Sequence, residues 1–160
     1  MRAAIAALLL SVALGGCGFR LAGSEHLPAV LAKPYLSVKD PYTDFSREFE
    51  RELKSSGALL QLGRQDATAT IEVTKDIVEQ RTLAVSARNI PTDYELRYTV
   101  TFEVKGPDAQ ILAPQTITLS RDYSFEENEL LAKEHEADIL RAHMAQDLAT
   151  MAMRILSRVK

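Results

Sequence analysis

The 160-residue chain carries 19 Lys and Arg against 22 Asp and Glu, a net charge of −3. That balance lacks the basic excess that nucleic-acid binding requires, and a single cysteine excludes an internal disulfide. A chain of this length forms one domain and buries roughly two-thirds of its unfolded surface without help from a structural metal.

Met1 and Arg2 give a positive start, and residues 3–14 run apolar. About a dozen residues are too few for a stable transmembrane helix, which takes roughly 20. Length, charge order and small exit residues instead fit a secretory signal. Leu14-Gly15-Gly16-Cys17 has the form of a lipobox, at which bacterial lipoprotein precursors are diacylated on cysteine and cut before it. Residues 1–16 are therefore expected to be a signal peptide, and Cys17 a lipidated mature N-terminus with a net charge near −4 after the loss of Arg2. Two or three acyl chains would anchor it stably, whereas one would not. Gly18, where an aspartate often retains lipoproteins in the inner membrane, leans toward outer-membrane sorting.

Residues 17–34 hold Gly18, Gly23, Pro28 and Pro34 without clean periodicity, and are expected to form a tether to a domain over residues 35–160. Residues 35–39 suit a short strand. Thr43 or Asp44 can cap a helix whose Phe45, Phe49 and Leu53 recur four apart, and Ser56-Gly57 ends it. Ala67, Ala69, Ile71 and Val73 then alternate with polar residues. The clearest strand covers residues 94–105, with Tyr94, Leu96, Tyr98, Val100, Phe102 and Val104 on one face and charged residues and threonines on the other. Gly106-Pro107-Asp108 makes a turn. Ile117, Leu119, Tyr123 and Phe125 repeat the alternation, with Arg121 intruding. From about Glu127 to Val159 the period becomes helical, with Ala137, Leu140, Met144, Leu148, Met151, Ile155 and Val159 forming an apolar stripe.

The order β-α-β-β-β-α predicts an α+β two-layer sandwich, a four-stranded mainly antiparallel sheet with two helices on one face. Its other face is polar and must meet water or a wet partner.

No residue constellation for catalysis stands out, and no cofactor is indicated. His26, His135 and His143 are scattered and lack a third metal ligand, and Glu126-Glu127-Asn128-Glu129 suits a helix start on dipole grounds alone. Two segments are less ordinary. Residues 84–93, AVSARNIPTD, suit a hairpin tip carrying Arg88, and residues 130–136, LLAKEHE, place Lys133 one turn before Ala137.

Over essentially its mature length the chain resembles the LPS-assembly lipoprotein family LptE. The resemblance is carried by Cys17-Gly18-Phe19-Arg20-Leu21, by the R-N…Y-E-L segment from Arg88 to Leu96, by Arg121-Asp122-Tyr123, and most strongly by Leu131-Ala132-Lys133-Glu134 with Glu136 and the helix that follows. It implies a non-catalytic outer-membrane lipoprotein, lipid-anchored on the periplasmic side. Such a protein plugs the LptD β-barrel in a 1:1 complex and binds lipopolysaccharide during its delivery to the outer leaflet. By those motifs the lipopolysaccharide-binding cations fall on Arg88 and Lys133. A guanidinium fork and an ammonium point charge suit lipid A and inner-core phosphates. Two other readings stay open: a free-standing lipid- or peptide-binding lipoprotein, which should have a hollow core, and an accessory lipoprotein of another outer-membrane machine.

Overall fold

The elements follow the predicted order: β1 (Pro34–Ser37), α1 (Asp44–Ser55), β2 (Ala69–Val85), β3 (Pro91–Lys105), β4 (Gln110–Ser124) and α2 (Leu130–Leu156). The computed structural model describes residues 27–124 and 130–159, with side chains from Glu136 onward in the second stretch. Cys17 with its lipobox, Phe125, residues 126–129 and the side chain of Lys133 lie outside the described residues. The strands form one sheet in the order β1-β2-β3-β4, parallel between β1 and β2 and antiparallel elsewhere.

Local chemistry explains α1 at both ends. Thr43 caps it, its Oγ1 accepting from the Ser46 N–H at 3.0 Å, and Asp44 in the first turn complements the helix dipole. At the other end Gly57 adopts φ 90°, the Ala58 N–H donates to Leu53 O at 3.1 Å and the Gly57 N–H to Lys54 O at 3.1 Å. That pair of bonds is a Schellman motif, which needs a left-handed residue after the cap. Gly57→Ala meets no steric neighbour, so its cost is conformational alone. We expect a loss of about 1–2 kcal/mol, read as a thermal midpoint several degrees lower, with Gly57→Asn recovering much of it.

Phe45, Phe49 and Leu53 are fully buried, as their spacing predicts. The Phe45 and Phe49 rings stack at 5.1 Å, and Phe49 meets Phe102 of β3 at 6.1 Å, which joins the helix layer to the sheet. All six apolar residues of the β3 alternation are buried in the same cluster. The opposite face is polar as predicted: Thr99 and Thr118 bond at 3.1 Å, Thr101 and Thr116 at 2.9 Å, and Lys105 lies 2.8 Å from Glu72 and 2.7 Å from Glu103.

Three details depart from the sequence expectation. Leu31, within the stretch read as tether, is fully buried in a short 3-10 turn. The chain thus joins its core ahead of β1, which spans Pro34–Ser37 and not residues 35–39. The buried stripe of α2 is Met144, Ala145, Leu148, Ala149, Ala152, Met153 and Leu156, while Met151 is exposed. The helix is rotated toward its alanines because small residues let it pack closely beside α1. Third, β2 runs on to Val85, with a bulge at Thr74 between the Val73↔Phe102 and Lys75↔Thr101 pairs.

Candidate functional site

The β2–β3 hairpin carries Arg88. Its turn is closed by the Asn89 N–H donating to Ser86 O at 2.9 Å and the Ser86 N–H donating to Ile90 O at 2.7 Å. Asn89 sits at φ 61°. A three-residue loop of this kind places a left-handed residue after a tight turn, a role asparagine fills with little strain. Arg88 therefore stands exposed at the apex, just before the left-handed residue. Pro91 opens β3 opposite Val85, a strand-start position where the missing N–H costs nothing.

The first turns of α2 stand at the same end of the sheet. β4 stops there, with Tyr94↔Tyr123 and Asp93↔Ser124 as its last pairs with β3. Tyr94 and Tyr123 stack at 5.4 Å. The Tyr123 hydroxyl is pushed above its ordinary pKa by burial, with Tyr94 and the Glu136 carboxylate adding to the shift. Glu136 is thus close to the sheet end, and Lys133 lies one helical turn before it, about 4.5 Å along the axis. Its backbone belongs to α2, whereas its side chain is outside the described residues. Arg88 and the start of α2 share one end of the domain.

A groove runs from this end along the inner side of β2. The Thr74 bulge reverses the alternation, so Asp76, Val78 and Gln80 face the helix layer where Ala69, Ile71 and Val73 do earlier in the strand. One cavity of about 460 Å³ is lined by Val78, Gln80, Leu96, Ala137, Asp138 and Arg141. A second, of about 490 Å³, shares Val78 and Arg141 and reaches Thr43, Asp76 and Tyr98. Polar contacts fix its floor. Thr43 Oγ1 donates to Asp76 Oδ2 at 2.5 Å, the Phe45 N–H donates to the Tyr98 hydroxyl at 3.2 Å, and Arg141 holds Asp44 at 2.6 Å. Burial foremost, and then the Asp76 charge, raises the Tyr98 hydroxyl pKa well above its ordinary value, so it stays protonated. These groups pin α1, α2 and β2 together. Among the described residues no group of three or more metal-ligating side chains occurs.

The hairpin tip expected over residues 84–93 between two strands is present, but no alternation beyond Thr74 marked the rest of β2 or its exposed apolar side chains. Ile77, Val78, Leu83, Val85 and Ile90 all remain substantially exposed there. The signal was obscured because the bulge breaks the two-residue period that identifies a strand.

Residues 34–158 match the sequence profile of the LptE lipopolysaccharide-assembly family. The chain belongs to the LptE family. It is 30% identical to the LPS-assembly lipoprotein LptE of Yersinia enterocolitica, over 98% of this chain and 77% of that protein. To that of Yersinia pestis it is 29% identical, over 99% and 78%. Solved structures share the fold. Lipoprotein B of Nitrosomonas europaea superposes with a TM-score of 0.72 at 24% identity, covering 88% of this chain and 90% of that one. Rare lipoprotein B of Shewanella oneidensis gives 0.68 at 24% identity, covering 78% and 93%. LptE membership places the chain in lipopolysaccharide assembly.

Proposed function

We propose that this LptE-family chain is a non-catalytic, lipid-anchored subunit of the outer-membrane lipopolysaccharide translocon. In this reading it plugs an LptD-like β-barrel in a 1:1 complex and binds lipopolysaccharide phosphates through Arg88 and Lys133. The observation that carries it is the placement of an exposed, arginine-tipped hairpin and the start of α2 at one end of the domain. The plug role draws support from the sheet's outer face, where paired threonine hydroxyls and mixed ion pairs offer many small polar contacts around an outward Ile77. Such a surface suits a wet enclosure.

Thr68, just before β2, bonds Lys33 N–H and Val30 O, so the described chain starts beside the first residue of β2. The hairpin tip lies at the other end of that 17-residue strand, roughly 50 Å away at about 3.3 Å per residue. The described N-terminal segment and the hairpin tip stand at opposite ends of β2.

Extraction from native membranes in mild detergent tests the anchor and the partner together. The expected preparation contains residues 17–160 with added acyl mass on Cys17 and an LptD-like barrel at one-to-one stoichiometry, stable in moderate salt. A monomer recovered from membranes that contain the barrel would overturn the plug role. An unmodified Cys17 would overturn the anchor.

A further inference from the structure

Leu83 and Val85 are 54% and 53% exposed, and Ile90 is 38% exposed. All three sit on the β2–β3 arm. β4 gives its last pairing at Asp93↔Ser124, so Val85 and Ile90 lie where the sheet has thinned to two strands, and Leu83 sits at the base of that stretch. A two-stranded ribbon is marginal by itself in water, and leaving large apolar side chains bare on it contributes nothing to folding. Backbone irregularity accompanies them: the pairing slips between Thr82 and Ala84 and again before Val85, where bulges re-aim side chains.

The charge of the arm is equally uneven. The apex, residues 84–92, contains Arg88 and no acid, whereas lower on the arm Asp93 lies opposite Ala84 and Glu95 opposite Arg81. Near the apex, Val85 and Ile90 flank Arg88 with no carboxylate between them, an arrangement that complements a molecule joining hydrocarbon to an anionic head. A solvated hairpin would not need the first feature, and a neutral apolar ligand would not need the second.

We infer that the arm holds lipopolysaccharide by its acyl chains as well as its phosphates. Leu83, Val85 and Ile90 pack against hydrocarbon while Arg88 meets the phosphorylated sugar. The inference rests on the lipopolysaccharide-binding reading above and assigns a chemical role to residues that reading leaves unused.

The test compares intact lipopolysaccharide with the same material after alkaline removal of its acyl chains, each titrated against the full mature chain. Wild type is expected to bind the intact molecule more tightly. A triple variant, Leu83→Gln with Val85→Thr and Ile90→Thr, alters only exposed positions and should keep its circular dichroism and thermal midpoint. It should lose ~10–100-fold in affinity for intact lipopolysaccharide and bind the deacylated form as wild type does. If the triple variant fails to fold, the single changes Leu83→Gln and Val85→Thr should each show the same selective loss, smaller in size. Equal wild-type affinity for both probes would overturn the inference, as would a triple variant that binds intact lipopolysaccharide normally or weakens on both probes alike. Normal lipopolysaccharide binding with lost co-purification of the barrel would assign these side chains to the barrel wall and also overturn it. Failure of the wild type to bind either probe would instead overturn the parent reading.

Discussion

Phe49→Ala is expected to cost about 3–5 kcal/mol of unfolding free energy, the range for emptying a fully buried aromatic site. Phe49 is fully buried, and its ring stands between Phe45 on its own helix and Phe102 on β3, at 5.1 and 6.1 Å. Truncation therefore removes transfer energy and also opens a void at the junction of the two layers. Neighbours cannot readily collapse into it, because α1 is pinned by the Thr43–Asp76 and Asp44–Arg141 bonds, at 2.5 and 2.6 Å. Against a typical total of about 5–15 kcal/mol, that loss leaves a marginal fold. Urea unfolding should show a large fall in midpoint with little change in slope. Phe49→Leu, which keeps most of the volume, should cost under about 1.5 kcal/mol. A loss below about 1 kcal/mol for the alanine variant would mean that the two layers are not coupled through this ring.

The same residue shows why most of the fold was legible. Phe45, Phe49 and Leu53 recur every four positions, and the six apolar residues of β3 recur every two, so burial follows directly from period. Thr43 and Gly57 mark the helix ends by chemistry that acts within a few residues. Legibility failed where one local rule was interrupted. At Thr74 a single extra residue turns Val78 inward and Ile77 outward, so the strand loses its alternation to the eye while continuing in space for eleven more residues, to Val85. In α2 Met144 and Leu148 are buried as the stripe predicts, but Ala145, Ala149 and Ala152 are buried beside them and Met151 is not. Small residues carry little hydrophobic signal and gain their importance only once a neighbouring helix is in place. Leu31 was hidden by the prolines around it, since a 3-10 turn of three residues has no period to detect.

The candidate site divides in the same way. Arg88 could be placed on a hairpin because Asn89 and Pro91 are turn and strand-start residues, and the structure gives the turn its bonds. That the start of α2 lies at the same end follows from the antiparallel meander, because β4 runs back toward the β2–β3 tip and α2 begins a few residues after it. The apolar residues of the arm were passed over because exposure is a tertiary fact. In sequence, Leu83, Val85 and Ile90 look like ordinary strand material.

Replacing both Arg88 and Lys133 with Asp is expected to weaken lipopolysaccharide binding at least ~100-fold with the fold unchanged. A well-placed charge-assisted bond to phosphate is worth about 1.5–3 kcal/mol, so two lost bonds sum to about 3–6 kcal/mol, and every 1.4 kcal/mol is tenfold in affinity. Repulsion between the new carboxylates and the phosphates adds to this. Structure should survive, because Arg88 is an exposed turn residue at a position that suits Asp, and an acid at the first turns of α2 favours the helix dipole. Salt provides an internal control. Raising ionic strength screens exposed charge pairs, so wild-type affinity should fall steeply with salt while that of the double variant changes little. Each single variant should lose part of the affinity, and if the two cations grip one headgroup their losses should not add. Unchanged binding in the double variant, with unchanged circular dichroism, would remove both residues from the ligand site. The subunit's part in lipopolysaccharide assembly would then rest on its place in the barrel.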